Sequence, residues 1–210
     1  EKAAQFRRSL LHAAFTGALT GHDVEEGEVP EGWESKTMGE VGKYLNGYAF
    51  NSKTWSTSGR PIIRIQNLTG SGSKYNFFDG DIEERYIVRE GDLLFSWSAT
   101  LGVFVWNGPE AVLNQHIFKV ESAIDTGFHR YLLENAVAEM DQQTHGSGMV
   151  HITKKKFEAL PLMIPPEQEQ GRIVEILEDQ LTRLDTALQS VRTVREKAAQ
   201  FRRSLLHAAF

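Results

Sequence analysis

Residues able to read the edges of nucleic-acid bases and to hold phosphates recur along the middle of the chain. Arg64, Gln66 and Asn67 stand together and are followed by Ser71, Ser73 and Lys74; Asn114, Gln115 and His116 form a second group, and Ser147, Lys154 and Lys155 a third. An arginine can donate two hydrogen bonds to guanine, a planar amide matches the donor and acceptor of adenine, and serine and lysine bind phosphate oxygens. Ser96, Trp97 and Ser98 follow an apolar run and form a fourth group, with the indole either at a loop tip or in the core. Turn-rich domains also carry Asn, Gln and Ser on their surfaces for reasons of turn geometry, so no single one of these residues is diagnostic. The three lysines at 154–156 fit a phosphate clamp and a solvated helix face equally.

Catalytic signatures are missing. No G-x-S-x-G elbow, Walker A loop, G-x-G-x-x-G loop or H-E-x-x-H pair occurs. His116, His129, His145 and His151 are not at metal-ligand spacing, and no metal site is expected. The string His145-Gly146-Ser147-Gly148 looks like an oxyanion loop, but without a Ser-His-Asp order elsewhere it reads as a turn. The expectation is a protein that binds and does not catalyse. There are no cysteines, so disulfides and thiolate metal sites are excluded and a reducing cytoplasm is the expected compartment. No run of about eighteen apolar residues and no signal peptide is present.

The elements that must position these groups fall into four segments: 1–17, the end of a repeated helix; 18–32, an acidic connection; 33–165, a strand-rich globular domain; and 166–210, a long helix. In the domain, short apolar runs at 62–65, 86–88, 93–96, 103–106 and 116–120 read as strands, with turns at Gly91-Asp92 and Asn107-Gly108. Residues 128–142 read as a helix, and a second short one is expected from an N-cap at Thr153 through Leu160. The fold class expected is α+β. The net charge is −5, and residues 16–32 alone carry five acids with no Lys or Arg. The domain is nearly balanced and so neither supports nor excludes a polyanionic partner.

From Ile173 onward apolar residues alternate at spacings of four and three: Ile173, Leu177, Gln180, Leu184, Ala187, Val191, Val194, Ala198, Phe201, Leu205 and Ala208. That is the heptad seam of a helix that packs lengthwise on another helix, with Gln180 as its one polar member. Pro165 and Pro166 prevent an earlier start, and Glu167 and Glu169 suit a positive helix N-terminus. The first fifteen residues, EKAAQFRRSLLHAAF, recur unchanged as residues 196–210. Ala3, Phe6, Leu10 and Ala13 thereby occupy the seam positions of Ala198, Phe201, Leu205 and Ala208, so the expected partner of the long helix is a repeat copy of itself. A recent duplication without architectural meaning is the alternative. Starting with Glu inside the repeated helix, the chain is expected to have residues upstream in its natural setting.

Together these pieces resemble the DNA-specificity subunits of type I restriction-modification systems, in which target recognition domains alternate with long conserved helices. The resemblance rests on Pro30-Glu31-Gly32-Trp33 with Met38-Gly39-Glu40-Val41, on the run from Pro61 to Leu68, on Arg89-Glu90-Gly91-Asp92-Leu93-Leu94, and on Gly146-Ser147 before Ile152. Its most specific part is the run from Leu162 through Pro165-Pro166-Glu167-Gln168-Glu169-Gln170 to Val174, a strand ending in Pro-Pro and then Glu-Gln at the head of a helix. It implies one recognition domain where the usual subunit has two: either half of a full subunit, or a half-subunit that pairs with itself through antiparallel helices. It further implies double-stranded DNA as ligand, no catalysis or cofactor in this chain, S-adenosylmethionine on a methyltransferase partner, and a restriction subunit as third component. The rival class is a non-catalytic coiled-coil scaffold whose domain binds a protein or peptide.

Overall fold

In the computed structural model, which describes residues 2–23, 28–98, 100–143 and 153–209, the two long helices flank a domain whose ends meet. Helix α1 spans Lys2–Phe15 and the long C-terminal helix Glu167–Ala209. The domain opens with β1 (Glu34–Thr37) and closes with a strand at Pro161–Ile164, and the two pair antiparallel from Glu34 opposite Ile164 to Thr37 opposite Pro161. This ribbon holds the chain's arrival and departure side by side, so both long helices leave from one place.

Between those ends the domain has three layers. Strands β2 (Gly42–Asn46), β3 (Arg60–Ile63), β4 (Asn76–Phe78), β5 (Ile87–Val88), β6 (Leu93–Ser96), β7 (Gly102–Val105), β8 (Ala111–Leu113) and β9 (Ile117–Ser122) form two four-stranded sheets, and the closing strand is β10. The first sheet runs β2-β9-β6-β7 and is antiparallel throughout. The second runs β4-β3-β8-β5, with β3 and β8 parallel. Short helices α2 (Met38–Val41) and α3 (Ile65–Leu68), the longer α4 (Thr126–Gln143) and α5 (Lys154–Glu158) complete the set, so the long helix is α6.

The period-two alternation of β6 explains the layering. Leu93 and Phe95 join Tyr44, Phe118, Val120, Phe128, Phe157 and Ile173 in a core between the first sheet and the helices. Leu94 faces the other way, into a smaller core with Ile63, Val88, Trp106, Leu113 and Ile117 between the two sheets. Both faces of β6 are therefore dry, which is why it reads as a continuous apolar run.

The expected strands appear with shifted ends, at 60–63, 87–88, 93–96, 102–105 and 117–122. Four further strands, β1, β2, β4 and β8, were not expected. The polar ESKT of β1 shows no alternation, and its partner β10 lies more than a hundred residues away. The helix expected at 153–160 is shorter, Lys154–Glu158, although Thr153 does cap it by accepting from the Lys156 amide at 3.3 Å.

Helix α1 lies antiparallel to α4: Phe15 meets Phe128 edge-on at 5.3 Å, and Arg7 pairs with Glu134 about two turns further along. It also runs antiparallel to α6. The turn after α1 meets the start of α6 at Glu169, while Arg7 and Glu178 both lie close enough to act on the Tyr131 phenol. Leu11 and Ala14 are buried, and Phe6, assigned to the seam, is 44% exposed. On α6, Ile173, Leu177 and Leu181 are buried against the domain, whereas Val191, Val194, Phe201 and Leu205 are 49–66% exposed.

A three-way latch fixes the junction. The Glu169 carboxylate accepts from Thr20 Oγ1 at 2.6 Å and Trp33 Nε1 at 3.2 Å, and lies 2.9 Å from His22 Nε2. Burial opposes its ionisation, but these hydrogen bonds and the charge of His22 outweigh burial and hold its pKa below the ordinary carboxylate value.

Candidate nucleic-acid interface

The sheet registers bring the ends of strands from both sheets to one pole. Strands β3 and β8 run parallel, so Arg64 and Asn114 emerge side by side, and the Asn114 amide donates to the Ile63 carbonyl at 3.1 Å. The chain leaving β2 joins them: Tyr48 bridges Asn114, and the Gln115 amide donates to the Tyr48 carbonyl at 3.0 Å. Strand β6 ends at Ser96 opposite Ile117, the first residue of β9. Arg64, Trp97, Ser98, Asn114, Gln115 and His116, scattered over fifty residues of sequence, are therefore neighbours.

Several of the expected readers have partners within the fold. Asn67 accepts from the Arg64 amide at 3.0 Å and donates to the carbonyls of Gly72 and Lys74 at 3.3 and 3.1 Å, so its side-chain amide closes the loop after α3. Ser96 is fully buried and donates to the Thr100 carbonyl, inside the β6–β7 turn. Trp97 is half-buried and stacks on Phe118 at 5.5 Å, a packing role more than an exposed tip. Lys154 donates to the Tyr44 carbonyl at 2.7 Å and sits 3.6 Å from Glu158, which commits its charge within the domain.

Others remain at the surface. Gln66 on α3, and Ser71, Ser73 and Lys74 on the loop after it, are exposed, with the Ser71 hydroxyl 2.9 Å from that of Thr69. His116 is exposed and 3.1 Å from the Gln115 amide nitrogen, and Lys155 is exposed on α5. Ser147, with His145, Gly146 and Gly148, lies outside the described residues.

Beyond Trp97, the sequence did not single out the aromatics of this pole. Tyr48 and Trp55 are 40% and 44% exposed. Tyr48 is held edge-on by Phe50 at 5.0 Å and Tyr86 at 5.4 Å, and the Arg64 guanidinium lies 5.7 Å from the Trp55 ring centre. Their signal would have been aromatics in a polar, turn-rich stretch (GYAFNSKTW) where no core strand is read.

Charge distinguishes the two ends of the sheets. At the opposite end cations are neutralised in place: Arg60 and Arg89 on Glu110 at 3.1 and 3.3 Å, Arg89 also on Glu84, and Lys119 on Asp92 at 2.8 Å. At the pole, Arg64 and Lys74 form no ion pair among the described residues, nor does Lys155. Three buried donors have no acceptor among the described residues, namely Arg64 Nε, Asn76 Nδ2 and Trp97 Nε1. All three lie at or beside this pole, which is thus rich in donors and positive charge and presents exposed rings. Such a surface suits a ligand that offers acceptors, negative charge and flat or methylated faces.

Toward the end of the first sheet away from the pole, His129 is fully buried between Tyr44, whose hydroxyl is 2.8 Å from Nε2, and Ser122, whose hydroxyl is 2.9 Å from Nδ1. Burial pushes its pKa down to about 4. A Cβ at Gly42 would fall 2.5 Å from its ring, so the site requires glycine for space. No group of ligating side chains able to hold a metal occurs among the described residues, and no described helix is long and apolar enough to cross a membrane.

Comparison with known proteins gives a consistent answer. Residues 30–191 match the type I restriction modification DNA specificity domain. The chain is 26% identical over 207 residues to the type I restriction enzyme EcoBI specificity subunit of Escherichia coli, covering 96% of this chain and 42% of that protein. It is 29% identical over 157 residues to the MjaVIII specificity subunit of Methanocaldococcus jannaschii, covering 72% of this chain and 36% of that protein. In fold it is similar to the HsdS subunit of Thermoanaerobacter tengcongensis, with a TM-score of 0.62 at 20% identity over 88% of this chain and 47% of that one. A chain from a solved type I restriction-modification assembly gives a TM-score of 0.67 at 20% identity over 91% of this chain and 49% of that one. The chain thus spans less than half the length of these relatives. With its strand-rich domain followed by a long helix, it belongs to the family of type I restriction-modification DNA specificity domains.

Proposed function

We propose that the domain reads one half of a split target in double-stranded DNA through the pole where the strand ends converge. The observation that carries this reading is the pole itself: Arg64 and Lys74 without an ion pair and three donors without an acceptor among the described residues, the Asn114–His116 turn and two exposed rings in one place. Arg64, Gln66, Asn114, Gln115 and His116 face base edges, with Ser71, Ser73, Lys74, Ser98 and Lys155 on phosphates. Helix α6 sets the distance to a second recognition domain, supplied by a second copy paired through antiparallel helices. Its outer face takes the methyltransferase subunits, which carry S-adenosylmethionine, and a restriction subunit completes the assembly in the cytoplasm. The chain contributes recognition and no catalysis.

The test is selection from a random duplex library by the chain with its methyltransferase, over a range of salt. An enriched two-part palindrome, bound with an affinity that falls steeply as salt rises, is the expected result. Alanine at Gln115 should relax one selected base, whereas alanine at Lys74 should weaken all sequences alike. No enrichment would favour a protein-binding scaffold.

A further inference from the structure

Of the arginines in the globular domain, Arg60, Arg85, Arg89 and Arg130 each pair with a carboxylate, and Arg64 pairs with none among the described residues. What lies beside it is a ring: its guanidinium carbon sits over Trp55, 5.7 Å from the ring centre. Trp55 is 44% exposed and belongs to neither core. Of the three side-chain nitrogens of Arg64, only Nε is shut off from solvent without an acceptor, so the terminal pair, Nη1 and Nη2, is what a ligand can reach.

Both members of the pair stand on fixed frames. The Arg64 amide donates to Asn67 Oδ1 at 3.0 Å and the Asn67 amide donates back to the Arg64 carbonyl at 2.8 Å, which closes the chain into a ring at the root of the side chain. Trp55 follows a turn in which the Lys53 amide donates to Asn51 Oδ1 at 3.0 Å and the Thr54 hydroxyl donates to the Asn51 carbonyl at 2.8 Å. Directly after Trp55, the Ser56 amide donates to the Phe77 carbonyl at 2.9 Å and ties this segment to β4.

We infer that Arg64 reads a guanine in the major groove with its terminal nitrogens, and that Trp55 is the residue that positions it. This rests on the recognition reading proposed above and assigns one base to it. Two donors side by side in one plane need two acceptors side by side. Only the major-groove edge of guanine, with O6 and N7, offers them on one base: adenine and cytosine each present an amino donor there, and thymine one acceptor beside a methyl group. A phosphate also offers two acceptors, but it accepts a cation from many directions and gains little from a steered side chain. An aromatic face that attracts the guanidinium limits its swing before DNA arrives, and this lowers the ordering cost of a contact that depends on direction.

The test uses the chain with its methyltransferase and the duplex target that the parent chain enriches. Arg64→Lys keeps the charge and loses the two-pronged end, so it should cut discrimination at one G·C pair by about 10- to 100-fold and change binding to unrelated duplex by less than about twofold. 7-Deazaguanine at that pair, which lacks the N7 acceptor, should weaken the parent more than it weakens Arg64→Lys. Trp55→Ala should lower the same discrimination by about two- to fivefold with no change in melting, and Trp55→Phe should restore most of it. Binding that Arg64→Lys leaves unchanged or weakens alike for every sequence, an effect at an A·T pair, or equal sensitivity of parent and variant to 7-deazaguanine overturns the guanine assignment. A loss in Trp55→Ala that spreads over all positions, or that phenylalanine does not restore, overturns the positioning role. A parent chain that enriches no sequence overturns the recognition reading itself.

Discussion

At the residue scale, the same side chains that suit base reading also suit holding loops together, and only their partners distinguish the two. Asn67 spends its amide on three backbone groups and Ser96 its hydroxyl on one, while Gln66 and His116, of similar type, stay at the surface. Sequence named the pole's polar groups because they cluster, and it missed Tyr48 and Trp55 because a lone aromatic reads as core. His129 was legible only as a histidine without ligand spacing, since its partners Tyr44 and Ser122 come from different strands. Its buried neutral ring makes a pH prediction. The folded state holds its pKa at about 4 against 6.5 unfolded, so the unfolded chain takes up the proton first. Stability conferred by this group is complete above pH 6.5 and is lost as pH falls toward 4, by up to about 3 kcal/mol. Urea midpoints at pH 7 and 4.5 should differ accordingly, and a substantial part of that difference should vanish in His129→Gln; an undiminished difference in the variant would assign the effect to other groups.

At the element scale, what was readable depended on how locally each element is specified. β6 and β9 carry their own apolar pattern, and α6 carries proline, acid and heptad signals in one run. β1 is specified by β10 and by the capping box that follows it, where Glu40 accepts from the Thr37 amide and hydroxyl at 2.6 and 2.7 Å. The pairing with β10 belongs to tertiary structure and leaves no periodic mark. Glu169 teaches the same lesson: it was legible as an acid suited to a helix N-terminus, yet its three partners lie 136 to 149 residues away. Glu169→Ala should remove the carboxylate shared by Thr20, His22 and Trp33 and cost about 1–3 kcal/mol in denaturant unfolding, whereas Glu167→Ala, exposed in the same turn, should cost under about 0.5 kcal/mol. Equal losses would mean that the dipole, not the latch, governs this end. Because the Glu169 pKa is held low, its contribution is present above the ordinary carboxylate value and disappears in acid.

At the scale of the whole molecule, the β1–β10 ribbon and the three-way latch convert a linear order of helix, domain, helix into a hub from which α1 and α6 run side by side. Among the described residues the seam beyond Leu184 is uncovered, so the pairing proposed above predicts that part of the chain's stability depends on concentration. Binding of a second copy to the folded state raises apparent stability by mass action, and the melting temperature should therefore climb with chain concentration. Leu205→Glu isolates that part. Leu205 is 55% exposed and belongs to neither core among the described residues, so the substitution should leave dilute-chain melting unchanged; in a pair it places a carboxylate in the apolar seam and abolishes the climb. Melting measured over a hundredfold range of concentration decides the matter: a flat parent curve, or a climb preserved in the variant, would mean that the exposed seam is not where two copies meet.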